Sequence, residues 1–372
     1  MNVLSLFNGM SVGHMALESL NINVNNYYSS EIDKYANQAT NALYPNTISM
    51  GDVTKWREWG IDWSSIDLVT GGFPCQAWSM AGKQLGDKDE RGMLFWVMLD
   101  IMKHVKHHNP KAHFMIENVK MKKEFEQYIT THTENALGHV HKILINSALV
   151  SAQNRNRYYW TNFKVEQPED KGILLKDIIE LNPDFENQSD NWHKWFFNNI
   201  DKQVLKSYSC ITNFNDKAIT MTTRQFASWN GNFLIIKQDG VKDIEVNLST
   251  KPPFSFYETR TELGKQLRKE LSRAKGRDTS ARCNKSKMYK SHSHKKANCL
   301  TAARSFFETI LDTDYRIRKL TPRECMRLQT VPESHINTLL NAGISNTQLY
   351  KMTGNAWTME VIKHILKGVT KC

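Results

Sequence analysis

The sequence contains no run of about 18 apolar residues, so no segment reads as a membrane-spanning helix. It contains no C-x-x-C pair: Cys75, Cys210, Cys283, Cys299, Cys325 and Cys372 stand far apart. A secreted disulfide framework is therefore not expected, and reduced thiols are, any one of which could act as a nucleophile. The start, Met1-Asn2-Val3-Leu4-Ser5-Leu6-Phe7-Asn8-Gly9, lacks the basic region and small-residue cleavage site of a secretory leader, so the expected location is the cytoplasm. There is no internal repeat. What the chain does have is 372 residues with 40% hydrophobic content, enough to bury a core and to form two domains or one large domain with an insertion. Its formal net charge of +11 favours a polyanionic partner, nucleic acid or an acidic membrane face, although charge alone assigns no function.

Residues 1–165 alternate in the α/β manner. Val3–Phe7, Tyr27–Ile32, Ile48–Val53, Ile66–Thr70, His113–Ile116 and Tyr158–Trp160 read as short strands. Met15–Leu20, Lys34–Leu43 and Met93–Val105 read as helices between them. Strands separated by helices imply a mostly parallel sheet with helices on both faces, and ligands in such folds bind at the carboxyl ends of the strands. Asn8-Gly9, Glu31, Asp52, Pro74-Cys75 and Glu117 all fall there. From about Lys164 to Ile310 alternation weakens, and Arg260–Lys296 is densely basic, including Lys265, Arg268, Lys269, Arg273, Lys275 and Arg277. This stretch reads as a smaller domain with a cationic surface, or as a solvated basic loop. Order returns from Arg316, with a helix start at Thr321-Pro322 and a last helix over Trp357–Leu366. The expected boundaries are 1–165, 166–315 and 316–372.

Phe7-Asn8-Gly9-Met10-Ser11-Val12-Gly13 is a strand-to-helix turn whose glycines would let the backbone approach a ligand, or serve only the turn. Glu31 could accept hydrogen bonds from ribose hydroxyls and Asp52 could reach an adenine amino group; each could equally cap the element that follows. One carboxylate per strand end behind a glycine turn favours a nucleoside. In Gly71-Gly72-Phe73-Pro74-Cys75-Gln76 the cysteine sits in a polar loop beyond a buried strand, as a nucleophile would, rather than within the apolar strand. Glu117 ends a strand, at a depth where an acid is costly unless paired or functional. Arg155 and Arg157 alternate, placing both on one side of a strand, where they could pair with Glu117, hold a phosphate or base oxygen, or form a solvated edge.

In order, Leu4–Gly9, Gly72-Phe73-Pro74-Cys75-Gln76, Glu117-Asn118-Val119, Gln153-Asn154-Arg155-Asn156-Arg157, Arg318–Glu324 and Gly354-Asn355 resemble the ordered motifs of cytosine-5 DNA methyltransferases. Ala81-Gly82-Lys83 and Asp89-Glu90-Arg91-Gly92 resemble that family's catalytic loop. The resemblance covers residues 1–165 and 316–370 and implies a Rossmann-like catalytic domain with a small target-recognition domain. It further implies that Phe7, Gly9, Glu31, Ile32, Asp52, Val53, Pro74 and Asn355 bind S-adenosyl-L-methionine. Cys75 would be the nucleophile, Glu117 would meet the cytosine edge at N3 and N4, and Arg155 and Arg157 would hold the base and the catalytic loop. The first turn departs from the usual F-x-G-x-G-G: Ser11 and Val12 follow Met10 and Gly13 comes one place late, a shape shared with the animal de novo branch.

The implied partner is double-stranded DNA, with no membrane, a monomeric enzyme and a cognate restriction endonuclease as a candidate companion. The alternative substrate is RNA (tRNA) on the same scaffold, although the extra recognition motif of those relatives is not found here. A decayed DNA-binding relative is disfavoured by the intact Cys75, Glu117, Arg155 and Arg157, and a nicotinamide oxidoreductase leaves Pro74-Cys75-Gln76 and Gly354-Asn355 without a purpose. Cys283, His292, His294 and Cys299 could ligate zinc, but their spacing matches no zinc motif, and no metal is expected. Ala297–Thr301 and Lys217–Thr222 compete as the threonine-containing element that opens the conserved part of the recognition domain.

Overall fold

The computed structural model describes residues 1–74, 92–180, 209–211, 217–223, 225, 231–237, 255–260, 289–294 and 315–369. Seven strands form one sheet: β1 (Asn2–Leu6), β2 (Asn26–Ser30), β3 (Ile48–Ser49), β4 (Leu68–Gly71), β5 (His113–Val119), β6 (His141–Asn146) and β7 (Asn156–Thr161), in the order β3-β2-β1-β4-β5-β7-β6. Strands β1 to β5 pair in parallel, with Leu4 opposite Tyr28 on one side and Val69 on the other. Strand β7 runs antiparallel between β5 and β6. This is the α/β methyltransferase-type sheet, flanked by helices on both faces.

Alternation along the strands feeds two cores. Val3, Tyr27, Leu68, Met115 and Tyr159 point to one face, where α1 (Val12–Ser19), α2 (Lys34–Leu43) and the C-terminal helices pack. Leu4, Leu6, Val69, Phe114, Ile116 and Trp160 point to the other, against α3 (Met93–His108) and α4 (Lys123–Leu137). A strand buried on both faces reads as a continuous apolar run, which is how β1 and β4 looked in the sequence. The C-terminal segment contributes α5 (Pro322–Leu328), α6 (Glu333–Asn341), α7 (Asn346–Asn355) and α8 (Met359–Leu366). Helix α5 opens with a capping box: the Glu324 amide donates to Thr321 Oγ1 at 3.1 Å and the Thr321 amide donates to Glu324 Oε2 at 2.8 Å.

Several elements differ from the sequence expectation. The third strand is two residues long, because Gly51 turns at φ 67° and Asp52 then caps a 3₁₀ helix over Val53–Glu58. Glu117 lies within β5, which runs to Val119, rather than at its end. Arg155 precedes β7: its carbonyl still accepts from the Ser147 amide, but its own amide donates to Asn146 Oδ1 rather than to the partner strand. The last helix begins at Met359, leaving Ala356 and Trp357 in the break after α7.

The chain divides into two compact units, Met1–Glu180 with Thr212–Asn232 and Leu320–Cys372, and Leu181–Ile211 with Phe233–Lys319. That division falls elsewhere than the sequence boundaries. Residues 217–223 belong with the first unit, where Lys217 Nζ donates to the carbonyls of Ala148, Ser151 and Ile173, and the Ala218 amide donates to Ala152. The second unit holds the three-stranded sheet β12-β9-β8 (β8 Ser209–Ile211, β9 Gly231–Lys237, β12 Tyr315–Lys319) and the antiparallel pair β10 (Ser255–Arg260) with β11 (Tyr289–His294). Most of the basic stretch 260–296, and Ala297–Thr301, lie outside the described residues; His292 and His294 fall in β11, while Cys283 and Cys299 lie outside. Among the described residues no cluster of histidine, cysteine and acid could hold a metal, and no helix is long and apolar enough to cross a membrane.

Candidate active site

A cavity of about 490 Å³ opens at the carboxyl ends of β1, β2, β4 and β5, within the first unit. Phe7, Gly9, Glu31, Ile32, Asp52, Val53, Pro74 and Asn355 all line it, as do Glu117, Arg155 and Arg157. Cys75, Ala81-Gly82-Lys83 and Asp89-Glu90-Arg91 lie outside the described residues; Pro74, the neighbour of Cys75 in the chain, is on the cavity wall.

At the β1–β3 end, local turns place the polar groups. Phe7 and Ser11 both take left-handed backbone (φ 56° and 62°), an uncommon state for non-glycine residues that collects at functional turns. Side chains stabilise the shape that glycine would otherwise supply. Ser11 Oγ lies 2.8 Å from both Asn8 Nδ2 and Thr40 Oγ1, and the Tyr27 hydroxyl donates to Asn8 Oδ1 at 3.1 Å. The displaced glycine has a packing role: a β-carbon at Gly13 would stand 3.1 Å from the Tyr27 hydroxyl and 3.5 Å from Trp357.

Glu31 accepts from the amides of Ile32 and Asp33 on Oε1 and from Gly9 on Oε2, so it ties the β2 turn to the β1 turn. It does not cap α2; Asp33 does, accepting from Tyr35 and Ala36. Asp52 caps the 3₁₀ helix through the Thr54 amide and hydroxyl, both at 2.9 Å, and these bonds hold its carboxyl below the usual range. Capping and cavity lining are thus combined in one residue. At Asp33 partial burial opposes ionisation, but the Lys351 ammonium at 3.1 Å and the two amides outweigh it and lower the pKa.

The β4–β5 end is assembled from distant segments. Glu117 is 8% exposed, with Oε1 3.1 Å from Arg157 Nε and Oε2 accepting from Trp357 Nε1 at 3.0 Å. Gly72 is needed for this meeting, since a β-carbon there would stand 2.9 Å from Glu117 Oε2 and 3.0 Å from Trp357 Nε1. Buried Asn118 donates to the Phe73 carbonyl at 3.1 Å, anchoring the segment that leads to Pro74. Arg155, 3% exposed, donates to the carbonyls of Met221, Gly354 and Ala356. The edge-strand alternative for the two arginines is overturned, because β7 is internal and Arg155 is buried. Trp357, Asp33 and Lys351 line the cavity and were not singled out in the sequence. Asp33 carried a readable signal, an acid directly before a helical run; Trp357 and Lys351 carried none beyond their nearness to Gly354-Asn355.

The chain matches the family described as C-5 cytosine-specific DNA methylase over residues 1–371. It belongs to that family. As a C5-cytosine methyltransferase it uses S-adenosylmethionine and acts on cytosine in nucleic acid. Curated relatives include the orphan methyltransferase M.SPRI of Bacillus phage SPR, 27% identical over 99% of this chain and 97% of its own. The type II methyltransferase M.HgiCI of Herpetosiphon aurantiacus is 27% identical over 98% of this chain and 95% of its own. Among solved structures, a DNMT2 of Spodoptera frugiperda (17% identity, TM-score 0.56, 99% of both chains) shares the fold of this methyltransferase. The S. pombe Dnmt2 methyltransferase does so too (16% identity, TM-score 0.56, 100% of this chain and 98% of its own).

The residues present fit the methyl donor. The cavity volume lies in the range of small-molecule sites. Carboxylates at Glu31 and Asp52 suit ribose hydroxyls and an adenine amino group, and Phe7, Ile32 and Val53 offer apolar surface to a ring. Glu31 Oε2 accepts one amide, and a carboxylate oxygen has room for a second donor.

Proposed function

We propose that this chain methylates carbon 5 of cytosine in double-stranded DNA, with Cys75 as a transient covalent nucleophile. The observation that carries the reading is convergence: Glu117 and Arg157 share one cavity with Pro74 and with every residue expected at the cofactor. S-adenosylmethionine, when bound, supplies a methyl group made electrophilic by its sulfonium.

The residues then divide the work. Carbon 5 of the aromatic ring is a poor nucleophile, and addition of the Cys75 thiolate at carbon 6 makes it enamine-like. The thiolate is the reactive form, so the site must favour ionisation of the thiol. Addition places negative charge on the ring, which a proton or hydrogen bond given by Glu117 at N3 stabilises while its other oxygen accepts from the N4 amino group. Arg157 holds the Glu117 carboxylate at 3.1 Å. Arg155 ties β7 to the Gly354–Ala356 segment and so keeps Asn355 at the cavity. Loss of the carbon 5 proton and expulsion of the thiolate release the methylated base. The target base must leave the duplex stack, at a cost of a few kcal/mol that phosphate contacts from the basic second unit would help offset.

The family's own description and the phage and bacterial relatives support DNA as substrate. The second reading is an RNA cytosine methyltransferase, favoured by the full-length likeness to two DNMT2 folds. A companion restriction endonuclease is part of the proposal, prompted by the type II relative. The likeness to the animal de novo branch is confined to the Met10–Gly13 turn. Labelled methyl transfer to duplex DNA and to tRNA decides between substrates: label in DNA with none in tRNA supports the first reading, the reverse supports the second. Bisulfite sequencing of DNA from an expressing host then gives the recognition sequence.

A further inference from the structure

Three segments far apart in the chain meet on one indole. Trp357 lies in the break between α7 and α8 and is 9% exposed. Its Nε1–H donates to Glu117 Oε2 at 3.0 Å, from a residue 240 positions away. The ring runs beneath two glycines. A β-carbon at Gly72 would stand 3.0 Å from Nε1 and 3.3 Å from Cζ2, and one at Gly13 would stand 3.5 Å from Cζ3. The first turn of α1, the loop after β4 and the carboxylate on β5 therefore all abut this side chain.

From this geometry we infer that Trp357 is a positioning residue: its indole N–H fixes the rotation of the Glu117 carboxyl so that its remaining hydrogen-bonding positions face N3 and N4 of the pyrimidine. The inference rests on Glu117 acting at the base. A carboxylate has about four lone-pair sites. Arg157 takes one on Oε1 and Trp357 takes one on Oε2, leaving one on each oxygen. Arg157 alone holds one oxygen and leaves the group free to turn about its terminal torsion, which is broad for glutamate. The second donor removes that freedom. Tryptophan is suited to the task because it donates and cannot accept, so it holds one carboxyl oxygen without competing for the base. Trp357 also belongs to the segment, Gly354 to Trp357, that lines the cofactor cavity, so one rigid side chain touches both ends of the site.

The test is Trp357→Phe, which keeps an aromatic ring against Gly13 and Gly72 and deletes the N–H. Loss of a hydrogen bond to a charged group predicts a fall in kcat of about tenfold or more. The dissociation constant for S-adenosylhomocysteine, read by calorimetry, should stay within about twofold, because no donor to the cofactor is removed. Gly72→Ala gives an independent route, since its β-carbon pushes the same pair apart, and it should lower kcat with the thermal midpoint retained. A Trp357→Phe enzyme with wild-type kcat overturns the inference. So does one whose cofactor affinity falls in step with kcat, which would place the role of Trp357 at the cofactor rather than at Glu117. Glu117→Ala is the control: full activity in that variant sinks the assignment of Glu117 itself, a failure distinct from an inactive Glu117→Ala beside an unaffected Trp357→Phe.

Discussion

At the β1–β3 end of the cavity Glu31 and Asp52 are held close by in the chain, Glu31 by the amides of Gly9, Ile32 and Asp33 and Asp52 by Thr54, and only Asp33 reaches a distant partner, Lys351. At the β4–β5 end Glu117 is held by side chains 40 and 240 residues away, Arg157 and Trp357, over a glycine from a third segment. The proposed cofactor end is thus built mostly from local turns of neighbouring strands, with Lys351 and Asn355 added from the C-terminal segment. The base end exists only when the sheet, the antiparallel β7 and the C-terminal helices are all in place. Damage at the first end should weaken binding, and damage at the second should slow chemistry or loosen the fold.

The sharpest way to break that contrast is at the nucleophile. Cys75→Ser or Cys75→Ala should abolish turnover, by at least about a thousandfold, while cofactor affinity stays near wild type. A covalent complex with a 5-fluorocytosine duplex should form with the wild-type chain and be missing with either variant. Glu117→Ala comes next, with kcat down about a hundredfold or more and S-adenosylhomocysteine binding little changed in calorimetry.

The two arginines sharpen the contrast within the base end. Arg155→Ala strips donors from three buried carbonyls and should cost about 2–4 kcal/mol of stability, read as a large fall in thermal midpoint. Arg157→Ala should chiefly lower kcat, with a smaller loss of midpoint. Equal loss of stability in both would show that the pair acts as one structural unit. At the cofactor end, Glu31→Ala should raise the cofactor dissociation constant by about tenfold and leave kcat at saturation within a few-fold.

The smallest expected effect concerns pH. His14 is stacked between Tyr27 and Tyr44, with ring centroids 4.4 and 3.8 Å away. Burial lowers its pKa to about 4; nearby Glu18 opposes this and His335 adds to it. An unfolded histidine titrates near about 6.5, so between about pH 4 and 6.5 the unfolded chain binds the extra proton. This contribution to stability is whole above that window and is lost as pH falls through it. Thermal midpoints measured from pH 7.5 down to 4.5 should fall less steeply for His14→Phe than for wild type.

What the sequence showed follows the same division. Strands β1, β4 and β5 were legible because burial on both faces makes them continuous apolar runs, and Glu31 and Asp52 because each sits directly after one of the parallel strands or its turn. Helix α4 was not legible: of its fully buried positions, Glu126, Ile129 and Thr133, only Ile129 is apolar, and Phe125, Tyr128, Ala136 and Leu137 pack against the core while half-buried. Strand β6 buries only Ile145 fully and gave little signal. Arg155 and Arg157 both line the cavity, although Arg155 stands one residue before β7, where Asn146 captures its amide. No local pattern could show Trp357 beside Glu117, since that contact is made by the fold alone.

The dependence of Arg155 on the carbonyls of Gly354 and Ala356 has a consequence for biosynthesis. Until the segment from Gly354 to Trp357 has been made and has docked, Arg155 has only the Met221 carbonyl of its three acceptors, and Glu117 lacks its indole. Such a nascent chain has no complete site and an incentive to stay open or to engage a chaperone. A methyltransferase built this way completes the Glu117 end of its cavity only once that segment has docked.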